Sequence, residues 1–146
     1  MIEPKNVYLS DDDADDRDFF SEALFELSKN HKLTISTDGA ELIAQLEKPP
    51  VPLPDIIFLD INMPKKDGMQ SLHEIRKNRM LGNVPVVMYS TTANPDYIEK
   101  AHNLGANFYF VKPSDYNSLK KRIASVLSID WAIQAFPVDT AQFVIS

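Results

Sequence analysis

Three short runs constrain the fold of this chain more than any other feature. Ile56-Ile57-Phe58-Leu59, Val84 to Tyr89 and Phe108-Tyr109-Phe110-Val111 have strand length and strand composition, and none alternates polar with apolar. A strand that is apolar on both faces must be covered on both faces, as in a parallel sheet layered between helices. Val7-Tyr8-Leu9 and Leu33-Thr34-Ile35 are weaker runs of the same kind. The segments between them carry helical spacing. Phe20, Ala23, Leu24 and Leu27 make one apolar face, and Leu42, Ile43 and Leu46 a shorter one. Leu72 and Ile75 mark a third helix, Ile98, Ala101 and Leu104 a fourth, and Leu119, Ile123, Val126 and Leu127 a fifth. Gly105 is placed to end the fourth helix, and Ser114 or Asp115 to cap the start of the fifth. The proline-rich stretch 49–54 reads as a stiff loop.

Five β-α units in succession predict an α/β fold, a doubly wound parallel sheet with right-handed crossovers. The expected organisation is one domain over residues 1–128. A tail over 129–146 extends the last helix or packs beside it, with no separate effector domain. In such sheets, ligands collect beyond the carboxyl ends of the strands. The residues there are Asp11-Asp12, Asp60, Ser90-Thr91 and Lys112-Pro113. Three carboxylates, a hydroxyl and an ammonium therefore converge on one edge, although they are far apart in the chain.

Three carboxylates in one pocket need a cation to stay ionised. The chain has no cysteine, so a hard divalent ion with oxygen ligands is the expected occupant, and Mg²⁺ suits a site that also receives phosphate oxygens. A carboxylate relieved of charge by the metal can act as a nucleophile and form an acyl phosphate. The net charge of −6 argues against non-specific nucleic-acid binding. No apolar run is long enough to span a bilayer, and the first residues lack a secretory pattern, so a cytoplasmic protein is expected.

Four segments resemble the receiver domain of two-component response regulators: Leu-Ser-Asp-Asp-Asp at 9–13, Phe-Leu-Asp-Ile-Asn-Met-Pro-Lys-Lys-Asp-Gly at 58–68, Pro-Val-Val-Met-Tyr-Ser-Thr at 85–91 and Phe-Val-Lys-Pro at 110–113. The resemblance covers roughly residues 5 to 128 and implies a flavodoxin-like (βα)5 fold with five strands in the order 2-1-3-4-5. It makes Asp60 the phospho-acceptor. Asp12 becomes a direct Mg²⁺ ligand, Asp11 a metal-organising residue acting partly through water, and Asn62 the donor of a backbone carbonyl to the metal. Lys112 pairs with the phosphoryl group, and the Lys112–Pro113 bond is expected to be cis. Ser90 matches the switch hydroxyl and Tyr109 the aromatic that moves inward with it, the alternative for Tyr109 being an ordinary core ring. Gly68 is expected to supply a positive φ in the turn after the acceptor strand.

The implied activity is that of a stand-alone signalling receiver. It is phosphorylated by a sensor histidine kinase or a histidine phosphotransfer protein, and acts through protein contacts or by relaying the phosphoryl group. It would be no enzyme beyond its own phosphorylation and dephosphorylation. A haloacid-dehalogenase-type phosphatase also uses an aspartate nucleophile, but its second aspartate two residues on is Asn62 here. A flavodoxin would place a Ser/Thr/Gly-rich loop where this chain has six aspartates between Asp11 and Asp18. Of those six, Asp13, Asp15, Asp16 and Asp18 read as the capped, acidic first turn of the first helix. His31, His73 and His102 read as exposed filler. Two readings of the tail stay open: folded back on the domain, or exposing a Trp131/Phe136 patch that pairs two copies as receivers do through the fourth and fifth helices. The tail is also similar to that of receivers partnered with phytochrome-type kinases.

Overall fold

A computed structural model describes residues 3–47, 52–134 and 136–146 of the chain; part of the proline-rich loop lies outside them. Five strands and five helices alternate: β1 (Asn6–Ser10), α1 (Ala14–Leu27), β2 (Lys32–Ser36), α2 (Gly39–Glu47), β3 (Ile56–Leu59), α3 (Gly68–Lys77), β4 (Val86–Ser90), α4 (Pro95–Asn103), β5 (Phe108–Val111) and α5 (Tyr116–Leu127). A short α6 (Thr140–Phe143) and a two-residue β6 (Val144–Ile145) follow. All pairings are parallel, in the order β2-β1-β3-β4-β5-β6. The expected five-strand order is present, with β6 added at its edge.

The three constraining runs behave as their composition demands. Every residue of β3 and β4 is buried, and Phe108, Tyr109 and Phe110 of β5 are buried as well. On one face of the sheet α1 packs beside α5, and on the other α2 packs beside α3. Phe20 of α1, Phe58, Tyr89 and Phe110 form a chain of edge-to-face rings with centroids 4.9 to 6.2 Å apart, a geometry that aromatic quadrupoles favour.

The helices start where the sequence supplies an acceptor. Asp13 caps α1 by accepting from the Asp16 N–H (2.9 Å), Asp67 and Gln70 form a reciprocal capping box on α3, and Asn94 caps α4 ahead of Pro95. Asp115, rather than Ser114, caps α5 through the Ser118 N–H (2.9 Å). Gly105 follows α4 with φ +96°, the conformation glycine tolerates at a helix end.

The tail is folded back on the domain. Trp131 and Phe136 stack on each other and both meet the edge of Phe108, so the pair lines the domain's own surface. β6 hydrogen-bonds along β5, pairing Val144 with Tyr109 and Ile145 with Phe110. The wholly buried Phe143 lies against Tyr109 and against His102, whose Nε2 sits 2.8 Å from the Val138 carbonyl. His102 is thus half-buried, and His31 is buried outright with Nδ1 accepting from the Lys5 N–H (3.0 Å). Of the three histidines expected to be exposed, only His73 is.

Candidate functional site

Three residues of the acidic edge stand one position beyond a strand, each tied by a backbone hydrogen bond to the adjacent strand. The Asp11 N–H donates to the Ser36 carbonyl (3.1 Å), the Asp60 N–H to Ser10 (2.9 Å) and the Lys112 N–H to Ser90 (2.8 Å). The ladder therefore continues into the site, and the side chains project from backbone as rigid as the sheet, which a precise polar constellation requires.

Carboxylate oxygens of Asp11, Asp12 and Asp60 lie within 4.8 Å of one another. Asp11 is fully buried, Asp60 is 7% exposed and Asp12 is exposed. Asp11 already uses both oxygens: Oδ1 accepts from the Asp13 N–H (3.0 Å) and Oδ2 from the Lys112 ammonium (2.8 Å). Arg17 pins the same residue by donating from Nη1 to the Asp11 carbonyl (3.0 Å).

Lys112 is central to the electrostatics. Its Nζ lies 2.8 Å from Asp11 Oδ2, 2.9 Å from Asp16 Oδ2 and 3.8 Å from Asp60 Oδ2, and 4.7 Å over the Tyr89 ring. Burial disfavours the charged lysine, yet the hydrogen bond to Asp11 and the nearby carboxylates outweigh it and hold its pKa above the ordinary value. Asp60 fares worse. Its pKa is raised to about 7: burial contributes most, Lys112 pulls the other way, and Asp11 and Asp12 add to the rise. One ammonium does not balance this much negative charge. The donor set is all hard oxygen, which fits a divalent ion of the Mg²⁺ type and does not fit a soft one. Asn62 stands exposed two residues beyond Asp60 in the chain.

Ser90 ends β4 almost fully buried, its Oγ accepting from the Thr92 N–H (3.2 Å). Tyr109, on the neighbouring strand, is completely buried and donates its hydroxyl to the Thr92 carbonyl (2.7 Å). The ring thus points inward and spans from the β4–α4 connection to Phe143 of the tail.

Three expectations change. Gly68 does not carry a positive φ; Lys65, with φ 65°, does. Glycine is needed at 68 because a Cβ there would overlap the Asp60 carbonyl, and the Gly68 N–H donates to Ile61 O (2.9 Å) so that α3 begins directly under the acceptor strand. The Lys112–Pro113 bond is not cis: the only cis bond among the described residues is Phe136–Pro137, and Lys112 reaches Asp11 with its own bond trans. Asp16, read as part of an acidic helical turn, is an ion-pair partner of Lys112. Its place at the third position of α1 was a weak signal, because an acid there ordinarily serves the helix terminus.

Residues 7–124 match the response regulator receiver domain family. The chain is 33% identical over 129 residues to the response regulator Rcp1 of Synechocystis sp., covering 86% of this chain and 88% of that protein. It is 32% identical over 115 residues to the chemotaxis protein CheY of Treponema pallidum, covering 77% and 78%. Among solved structures, the Mn(2+)-bound form of Rcp1 superposes with a TM-score of 0.77 at 32% identity, over 92% of this chain and all of that one. The phosphorylated cyanobacterial phytochrome response regulator RcpA gives 0.81 at 30% identity, over 93% and 100%. With its parallel sheet, the acidic cluster at the strand ends and the family match across most of its length, the chain belongs to the response regulator receiver domains.

Proposed function

We propose that this protein is a receiver that takes a phosphoryl group on Asp60 from a histidine kinase or a histidine phosphotransfer protein. The observation that carries the reading is the meeting of three carboxylates within 4.8 Å with the Lys112 ammonium 3.8 Å from the Asp60 carboxylate. Asp12, Asp60 and the backbone of Asn62 would hold Mg²⁺, with Asp11 organising it. The ion, when bound, neutralises the carboxylates and the phosphoryl oxygens. A carboxylate oxygen of Asp60 attacks phosphorus, the bond to the donor imidazole nitrogen breaks, and that nitrogen leaves with the bonding pair. Lys112 offers its ammonium to the transferred group, and Ser90 a buried hydroxyl one strand away. Tyr109 is the switch aromatic, linking the Ser90 region to the exterior of β5.

The receiver comprises residues 1–128, with 129–146 a tail packed upon it. Output runs through protein contacts near α4, β5 and α5, including pairing of two copies, or through onward transfer of the phosphoryl group. The similarity to RcpA makes a phytochrome-type kinase the natural donor class. Labelling by acetyl phosphate in the presence of Mg²⁺ tests the acceptor: wild type gains one phosphoryl group, and Asp60→Asn gains none. Persistent labelling of that variant would reject Asp60. Turnover of a simple phosphate ester would instead favour the phosphatase reading, which Asn62 disfavours because a general acid is missing there.

A further inference from the structure

Lys112 is not free to serve Asp60, because two other carboxylates hold it. Its Nζ hydrogen-bonds Asp11 at 2.8 Å and Asp16 at 2.9 Å, while Asp60 stands beyond hydrogen-bond reach at 3.8 Å. The Asp16 contact is not an accident of a crowded acidic turn. Asp16 occupies the third position of α1, where an acidic side chain ordinarily folds back to the N–H of the capping residue. That N–H belongs to Asp13 and is already taken, since it donates to Asp11 Oδ1. The Asp16 backbone N–H is in turn satisfied by the Asp13 carboxylate. With both local duties filled, the Asp16 side chain is released toward the sheet edge, where it meets a lysine 96 positions away in the chain. Its neighbours on the same turn differ: Asp15 and Asp18 are exposed, and neither has an ion-pair partner among the described residues.

We propose that Asp16 is a positioning residue for phosphoryl binding, competing with the phosphoryl group for the Lys112 ammonium. The proposal rests on Asp60 being the acceptor. In the resting protein Asp16 and Asp11 together hold Nζ to the side, which leaves the Asp60 carboxylate without a tight cationic partner and available as a nucleophile. Once a phosphoryl group is present, Lys112 exchanges Asp16 for a phosphoryl oxygen. The strength of the Asp16 pair, partly exposed and therefore modest, then sets how firmly the charged group is retained.

The test uses beryllofluoride, an unreactive phosphoryl mimic, with Mg²⁺ and the full chain, alongside the ¹⁵N resonance of the Lys112 ammonium. Asp16→Asn should bind the mimic about 3- to 10-fold more tightly than wild type, a loss of one weak competing pair. Asp15→Asn, which removes the same charge one residue away, should stay within about 2-fold because an exposed charge is screened. Asp16→Glu, which restores a carboxylate to Lys112, should return toward wild type. The Lys112 resonance should move in Asp16→Asn and stay put in Asp15→Asn. Equal tightening in the two Asn variants, or tightening without movement of the resonance, would make Asp16 a bare local charge and overturn the proposal. Unchanged affinity in Asp16→Asn would overturn it as well. Failure of wild type itself to bind the mimic would reject the acceptor reading, a result distinct from any difference among the variants.

Discussion

The two polar and apolar margins of this sheet are built on opposite principles. At the carboxyl ends of β1 and β3, buried carboxylates crowd together, and burial with the neighbouring carboxylates raises Asp60 to about 7. At the lateral margin, β6 pairs with β5 and the buried Phe143 packs against Tyr109 and His102. The first arrangement costs stability and is tolerated because the backbone ladder holds it in place; the second stabilises by removing an aromatic ring from water. Tyr109 belongs to both, with its hydroxyl on Thr92 and its ring near Phe143. A site strained by charge thus sits next to an edge sealed by apolar contact, and Tyr109 touches both.

Phe143→Ala should give the largest effect on this comparison. Truncating a fully buried phenylalanine typically costs about 3–5 kcal/mol, and here the loss is capped by the ability of a short tail to undock. Urea denaturation should report about 2–4 kcal/mol of destabilisation. A change below about 0.5 kcal/mol, within the range of neutral surface substitutions, would mean that the tail does not seal β5.

Asp60→Asn should act in the opposite direction. A folded-state pKa raised above the unfolded value leaves the protonated form favoured in the folded protein. The penalty from Asp60 is therefore absent below about pH 4, grows as pH rises, and is complete above about pH 7. In chelator, the variant should match wild type near pH 4 and exceed it by about 1–3 kcal/mol at pH 8. Thermal melts across that range check the sign. A variant less stable than wild type at pH 8 would show that the acidic edge carries no electrostatic cost.

Mg²⁺ should produce a saturable gain of comparable size. At ten to a hundred times its dissociation constant, a ligand specific to the folded state stabilises by about 1–3 kcal/mol. The gain should appear in wild type at pH 8, shrink as pH falls below about 7, and be much reduced in Asp60→Asn. It should be unchanged in Phe143→Ala if the tail remains independent of metal binding. Equal stabilisation of wild type and Asp60→Asn would place the metal elsewhere.

The parts of this molecule that could be read in advance are those where composition alone forces a placement. Ile56 to Leu59 and Phe108 to Phe110 have no polar face, so they had to lie within the sheet, and Asp60 and Lys112 then had to emerge at its edge. The features that escaped depend on contacts between distant residues. β6 is two residues long, too short to show any periodicity. His31 looks like a solvated residue between Asn30 and Lys32 until the Lys5 N–H is brought to it by β1–β2 pairing. Gly68 announced itself as a turn glycine, but its necessity comes from the Asp60 carbonyl pressed against its Cα. Asp16 is chemically indistinguishable from the aspartates beside it, and only the occupied Asp13 N–H and the position of Lys112 set it apart.

The central claim is that Asp60 carries the phosphoryl group, and borohydride reduction of the phosphorylated chain tests it most directly. An acyl phosphate on an aspartate is reduced at its carbonyl carbon, leaving homoserine at that position. After treatment with acetyl phosphate and Mg²⁺, peptide mass spectrometry should find homoserine at residue 60 and nowhere else. Homoserine at Asp11 or Asp12, or a phosphoryl group retained on a serine or histidine with residue 60 untouched, would contradict the account.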